Sequence, residues 1–440
     1  MKRERIRRIL AIALPIIGGM VSQNVLNLVD TAMVGVLGNE ALAAVGLGGF
    51  TNFMCQALLL GVSAGVQATA ARRKGEGRHG NTAVALNTGL VLVSATGLLL
   101  ILIIYPLVGD LFRMLNSDPG VVAHGIPYVE IRVLAMIFVG MNFSFRGYWN
   151  AVDLSGLYMR TLIVMHVANI FLNWVFIFGN LGAPALGVYG AGLASSLAVF
   201  IGTLYYFWLG LRHAREAGFL KSLPAVGALV SMARLSLPAG IQQLAFAGGF
   251  TALYWIIGKV GTIELAAANV LINIFLVAIL PSLALGLAGA TLVGQALGRG
   301  DPEDARRWGW DVLRVGCTLI ILLGLPMVFL PDLILSGFIH DPRTLDVARL
   351  PMRFGGATIF LDAGGLILMN TLFGAGDTKR VMIVSVIMQW VVFLPAAYVA
   401  GPLLGFGLMT IWVLQTLYRT IQAGIFAAMW RGDGWTGVTV

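Results

Sequence analysis

The sequence predicts an all-α membrane protein with twelve transmembrane helices, arranged as two six-helix bundles that form a parallel internal repeat. Three observations carry this expectation. Apolar runs of about 20 residues, enough to cross a hydrocarbon core of about 30 Å, recur along the whole chain. Gly, Pro and charged residues punctuate these runs into twelve. Motifs of the first half return in the second at an offset of 223 residues.

Composition supports the first observation. Of 440 residues, 58% are hydrophobic and 11% charged, whereas a soluble domain is about half apolar and about a quarter charged. An outer-membrane barrel needs alternating segments of about 10 residues, and the sequence does not read that way. The net charge of +9 falls in short clusters between apolar runs, such as "KRERIRR", "RRKGEGR" and "GRGDPEDARR". That distribution reads as membrane topology and excludes a nucleic-acid surface. Cys55 and Cys317 lie in apolar runs, where cysteine behaves as a small hydrophobe, and imply neither a disulfide framework nor a zinc site. The basic start resembles a signal peptide. The run behind it is too long and is interrupted by Asp30, so the expectation is an uncleaved first helix.

The twelve spans are expected at 8–37, 44–71, 82–110, 122–148, 160–179, 187–211, 231–259, 265–298, 307–333, 347–374, 380–400 and 405–430. Alternate connections then hold about 23 of the 29 Lys and Arg, on the side that includes both termini. The positive-inside rule makes that side the cytoplasm and places the protein in the cytoplasmic (inner) membrane. The expected division is a first lobe at 1–211, a cytoplasmic linker at 212–230 around "RHAREAGFLKSLP", and a second lobe at 231–440.

The repeat rests on shared anchors. Leu14-Pro15 matches Leu237-Pro238, Gly35 and Gly38 match Gly258 and Gly261, and Asp118-Pro119 matches Asp341-Pro342. Slightly out of register, "GNEALAAV" parallels "GTIELAAAN", and Gly75 parallels Gly300. Six helices per unit insert both units in the same orientation, a transporter design with a site between the halves. Positions kept in both halves concern folding. Polar positions present in one half are the candidates for function.

By that test Gly61-Val-Ser63-Ala-Gly65, which matches the G-x-S-x-G of hydrolases, is a packing motif. A nucleophile elbow needs a strand-turn-helix, and the equivalent of Ser63 in "GLAGA" is Ala288. Small residues here let helices approach closely. Walker A, H-E-x-x-H and C-x-x-C patterns are absent from the sequence, and each connection is too short to hold a nucleotide-binding domain.

Asp30 passes the test, because its repeat partner is Leu253. It lies seven residues, about 10 Å, from the midpoint of its run near Gln23. A charge at that depth costs at least about 2.5–3.5 kcal/mol, and such residues line ion or substrate paths. Gln23, Asn27 and Asp30 share one helical face. In the fifth span His166, Asn169 and Asn173 form a second polar stripe, whose amide oxygens suit a hard cation such as Na⁺ or serve as interhelical hydrogen bonds. Ser195 adds a hydroxyl from the sixth span. Asp362, in the tenth, has Val139 as its repeat partner and is a candidate for substrate binding, for a second proton, or for a structural hydrogen bond. Gln242, Gln243, Asn269 and Asn273 are the other intramembrane polar groups of the second half, as cavity lining or as packing. Glu130, Arg132, Arg349 and Arg353 read as interfacial, with long side chains that snorkel.

"LVDTAMVG", "LNWVFIFG" with "LGAPALGVYGAGLAS", and "GDTK" after the tenth span resemble the multidrug and toxic compound extrusion (MATE) family over essentially the whole chain. The resemblance implies a V-shaped pair of lobes that alternate between inward- and outward-open states. It implies export of organic cations and amphipathic drugs in exchange for H⁺ or Na⁺, with no cofactor beyond that ion. It maps ion coupling onto Asp30, Asn169, Asn173 and Ser195, with Asp30, Asn169 and Asn173 as Na⁺ ligands if sodium is coupled. Asp362 corresponds to the tenth-helix acid of the NorM-type branch. Two departures leave the ion open: "GIQQLAFAGGF" lacks that branch's seventh-helix acid, and Asn173 stands where the DinF-type branch can carry aspartate. A monomer is expected, with the bilayer and small molecules as its partners. The alternative is a lipid-linked saccharide flippase on a related two-lobed scaffold, which would line its cavity with cations. An intramembrane enzyme or a channel fits less well, given scattered histidines and no repeated filter motif.

Overall fold

The computed structural model describes residues 3–438, which are nearly all helical and include no strand. In chain order the α-helices are α1 (Arg3–Gly35), α2 (Asn39–Gly75), α3 (Val84–Ile104), α4 (Val108–Leu115), α5 (Pro119–Leu134) and α6 (Met136–Ala151). Next come α7 (Ser155–Phe178), α8 (Gly187–His213), α9 (Val226–Val260), α10 (Thr262–Gly298) and α11 (Pro302–Phe329). The last are α12 (Pro331–Leu335), α13 (Pro342–Ala375), α14 (Thr378–Val386), α15 (Leu394–Tyr398) and α16 (Leu408–Arg431).

Each of the twelve expected spans has its helix, with three departures from simple rods. Pro106 interrupts the third, whose α3 and α4 are joined by a 3-10 turn at Tyr105–Leu107, because proline brings no N–H to continue the ladder. The fourth is the pair α5 and α6, bent by 52°. There the Ala135 amide turns back to Arg132 O and the ladder resumes with Val139 donating to Ala135 O. The eleventh alternates α14 and α15 with π-helical stretches at Ile387–Phe393 and Val399–Leu403, beside Pro395 and Pro402. Among the described residues nine segments are long and apolar enough to cross a membrane, and the bent pair makes a tenth. The other two expected spans, α9 and α16, are 35 and 24 residues long. Gln242 and Gln243 in one, and Gln415, Arg419 and Gln422 in the other, dilute their apolar character.

The repeated anchors are helix ends. Asp118 caps α5 through the amides of Gly120 and Val121, and Asp341 caps α13 through the amide and hydroxyl of Thr344. In both cases proline occupies the first helical turn, where its missing N–H is not needed. Gly38, before α2, has φ +111°, a left-handed region that favours glycine. The pairing of Gly75 with Gly300 needs correction: Gly75 ends α2, whereas Gly77 and Gly300 both have φ +74°. Gly77 stands at the same 223-residue offset as the other anchors.

By its contacts the chain forms two compact units. One is Pro15–Gly240; the other joins Met1–Leu14 to Ile241–Val440. The divisions fall inside α1 at Leu14-Pro15 and inside α9 just after Leu237-Pro238, beside the repeated dipeptide. Each unit has its own apolar core, one around Phe112, Val129, Val133 and Met136, the other around Ile257, Leu271, Met352 and Ile411.

Small residues seat the helices of the Pro15–Gly240 unit as expected. A Cβ on Gly61 would run into backbone of Ser236 and Gly240, and one on Gly147 into backbone of Ser63. Ser63 is 2% exposed within a helix and accepts a hydrogen bond from Arg146 Nε at 3.3 Å, so the hydrolase-like pattern is packing. The polar connection after α8 docks on α3, where Asn87 Nδ2 donates to Gly218 O and Asn87 Oδ1 accepts from the Leu220 amide.

Candidate functional site

In the Pro15–Gly240 unit the polar stripes of α1 and α7 meet. His166 Nε2 lies 3.3 Å from Gln23 Oε1, and Asn173 Nδ2 donates to Asp30 Oδ1 at 2.6 Å. Both pairs are separated by 143 residues, so a seven-residue advance along α1 is matched by the same advance along α7. The two helices therefore run parallel and in register, and each polar residue finds its partner at the same height.

From Asp30 the network continues inward. Asn173 Nδ2 also donates to Asn169 Oδ1 at 3.0 Å, and Asn169 Nδ2 donates to Ser195 Oγ of α8 at 3.1 Å. Asn169 and Asn173 are buried, while Asp30 and Ser195 are half-buried. Asn173 Oδ1 is sealed from solvent and accepts no hydrogen bond among the described residues. A carboxylate, an unused amide oxygen and a hydroxyl thus stand on one network, a donor set suited to a proton or a hard cation. Gln23 and Asn27 bond each other at 3.3 Å on the same face of α1. The sequence reading left Arg132 at the interface, but on α5 it lies within electrostatic reach of the Asp30 carboxylate.

The other unit repeats the geometry without the charge. Gln389 Nε2 donates to Phe246 O across the same 143-residue separation as Gln23 and His166, whose repeat partners these two are. The repeat partners of Asp30 and Asn173 are Leu253 and Ala396. The scaffold is shared, and the acid–amide pair belongs to one unit alone.

Asp362 of α13 instead faces Arg419 at the midpoint of α16, with Asp362 Oδ1 3.5 Å from Arg419 Nε. The pair borders a cavity walled by Phe246, Phe250, Phe275 and Trp412. The sequence reading did not single out Arg419. The signal was present, since a lone Arg in mid-span meets the criterion that singled out Asp30. Arg419 balances Asp362, so the charge in mid-span is not acidic alone. Gln242, Asn269 and Asn273 do not join this cavity. Asn273 Nδ2 bonds Asn269 O and Oδ1, Tyr254 OH donates to Asn269 Oδ1, and Gln242 Oε1 is buried with no partner among the described residues.

The MatE family model matches residues 15–175 and again residues 238–399, two matches that begin 223 residues apart. The chain belongs to the MATE family. This is a family of multi-pass membrane transporters and not an enzyme family. Among relatives, the chain is similar to a probable multidrug resistance protein NorM of Mesorhizobium japonicum, 29% identical over 97% of this chain and 94% of that one. A second, from Thermotoga maritima and of the same name, is 26% identical over 92% of this chain and 88% of its own length. The fold is that of an outward-facing multidrug resistance MATE transporter of the MOP superfamily, with a TM-score of 0.89 at 21% identity over 99% of this chain and 97% of that one. It is also similar to that of a MOP superfamily transporter from Pyrococcus furiosus described as having a binding pocket of reversed polarity. That TM-score is 0.87 at 22% identity, over 97% of this chain and 95% of that one. These MATE structures have the twelve helices in two lobes that the sequence predicts.

Proposed function

We propose that this MATE protein is a secondary active multidrug exporter of the cytoplasmic membrane. With both termini in the cytoplasm, it exchanges organic cations and amphipathic drugs for H⁺ or Na⁺ by alternating access. The names of its relatives, multidrug resistance proteins, favour export over saccharide flipping. The observation that carries the coupling site is the hydrogen bond from Asn173 to Asp30, present in one unit and replaced by Leu253 and Ala396 in the other.

In this reading Asp30 holds the coupling ion. With the carboxylate ionised, Oδ1 accepts from Asn173 Nδ2, which also holds Asn169 and through it Ser195. A proton or Na⁺ arriving at Asp30 weakens that acceptor and loosens α1 from α7, and cargo is released outward. Either ion brings about 2.3 kcal/mol per charge per 100 mV, in addition to its own gradient.

The test is export by proteoliposomes with imposed pH or Na⁺ gradients, for wild type, Asp30→Asn and Asp362→Asn. Asp30→Asn is expected to end gradient-driven export while leaving cargo binding measurable. Gradient-driven export by Asp30→Asn at the wild-type rate refutes the mechanism. Loss of coupling in Asp362→Asn alone moves the coupling role to the second acid.

A further inference from the structure

We propose that the cavity of the Ile241–Val440 region binds aromatic molecules that carry a carboxylate, and that Arg419 recognises the carboxylate. This rests on the reading of the protein as a drug transporter and adds aromatic acids to the cargo proposed above.

The cavity has the make-up of a small-molecule site, a mostly apolar wall with a few polar groups converging on it. Its aromatic wall of Phe246, Phe250, Phe275 and Trp412 suits a flat ring system. Its polar groups are incomplete. Asp362 Oδ1, Arg419 Nε and Gln415 Oε1 are each sealed from solvent and make no hydrogen bond among the described residues. The ion pair is loose at 3.5 Å, where a well-formed guanidinium–carboxylate pair is bidentate at about 2.7–2.9 Å. The other contact of the guanidinium with a side-chain acceptor is a long one, Nη1 to Gln422 Oε1 at 3.4 Å. It packs over the rings of Phe246 and Tyr418, with centroids at 5.4 and 5.1 Å, so its orientation is fixed while Nε stays open.

The repeat again separates scaffold from addition. At the equivalent positions the other unit has Val139 and Ser196. Both charges therefore belong to one unit alone, beside one cavity.

Charge chemistry then selects the ligand. A simple cation would draw Asp362 away and leave the guanidinium unpaired, and arginine cannot shed its proton in a protein. A carboxylate has no such penalty. It pairs with Arg419 in the bidentate geometry that the loose internal pair lacks, and Asp362 is freed. Aspartate can then be neutralised in two ways, by a proton from water or by an ammonium group on the same ligand. An aromatic acid and an aromatic amino acid are the two sources of one chemistry, the carboxylate on Arg419.

The test is titration calorimetry on the full chain in lipid nanodiscs, with four probes sharing a naphthalene ring: naphthoate, naphthylalanine, naphthylmethylammonium and naphthylmethanol. At least one of the two acids is expected to bind wild type about tenfold or more tighter than the ammonium probe. Arg419→Gln should weaken the acids by about tenfold to a hundredfold, the scale of one charged hydrogen-bonded pair. It should leave naphthylmethanol unchanged. Tight naphthoate with weak naphthylalanine assigns the neutralising proton to Asp362; the reverse assigns the ligand's ammonium. The proposal is overturned if the ammonium probe matches or exceeds both acids, or if Arg419→Gln binds the acids as wild type does. Should that variant not fold, the ranking of the four probes on wild type decides alone. Export of tetraphenylphosphonium from proteoliposomes reads the transporter function separately, so failure of one leaves the other standing.

Discussion

Asp30 and Asn173, 143 residues apart, are joined by a 2.6 Å hydrogen bond, and the same register that joins them also pairs Gln23 with His166. Because the helices run parallel, displacing α1 along its axis would break both pairs together. The contacts are thus coupled by geometry as well as by chemistry.

Replacing Asn173 by leucine distinguishes the two ions. Hydrogen bonds to a charged group are worth about 1.5–3 kcal/mol, about tenfold to a hundredfold in an equilibrium. If the ion is H⁺, removing the donor that favours ionised Asp30 shifts half-maximal export to lower proton concentration. If it is Na⁺, the variant loses an oxygen ligand and half-maximal export shifts to higher Na⁺. Initial export rates against each ion give the sign, and no shift with either ion would sink the role of Asn173.

Gly61→Val should destabilise the Pro15–Gly240 unit. The added carbons meet backbone of Ser236 and Gly240, which cannot rotate away as a side chain could. Overpacking of this kind costs about 1–3 kcal/mol. The melting temperature of the purified protein should fall, whereas Gly46→Ala, with open space around it, should melt as wild type.

Arg5→Lys should not replace arginine. Arg5 Nε and Nη1 bond Asp311 and Asp304 at 2.5 and 2.7 Å, and the guanidinium stacks over Trp308 with its carbon 3.6 Å from the ring centroid. An ammonium cannot reproduce a planar fork that serves two carboxylates and a ring at once. Loss of stability of about 1–3 kcal/mol is expected for both Arg5→Lys and Arg5→Ala, read as a fall in melting temperature. Full stability in Arg5→Lys would show that only the charge matters.

The cap of α13 should be sensitive to acid. The Thr344 hydroxyl and then its amide hold the Asp341 carboxyl below the ordinary aspartate range. A depressed folded value means that the stabilising contribution is complete above the unfolded value and is lost as pH falls through the folded one. Asp341→Asn keeps an acceptor that does not titrate, so its melting temperature should fall less steeply with acid than that of wild type. Parallel acid profiles for the two proteins would exclude Asp341 as a source of the dependence.

Asp30, Asn169, Asn173 and Ser195 are legible in the sequence because helical spacing places polar residues on one face, and an apolar surround makes each of them conspicuous. The repeat is legible for a related reason: its anchors are caps and turns, whose geometry tolerates few residues. Arg419 is not legible as a partner of Asp362, because a pairing across α13 and α16 depends on how two distant spans meet, and no local spacing encodes that. The bend at Ala135 and the π-helical stretches are hidden likewise, since they arise from backbone hydrogen bonds that shift without a matching change in apolar pattern. Gln242 is legible as polar but not as solitary.

The compact units divide within α1, so the stretch duplicated in the sequence and the stretch that packs together are different lengths of chain. Arg5 and Arg8 leave the ribosome some 290 residues or more before Gln295, Asp304 and Asp311, which bind them. Helix α1 therefore waits for α10 and α11 before its contacts are complete. Two halves of the gene expressed as separate polypeptides would each lack contacts that the other supplies.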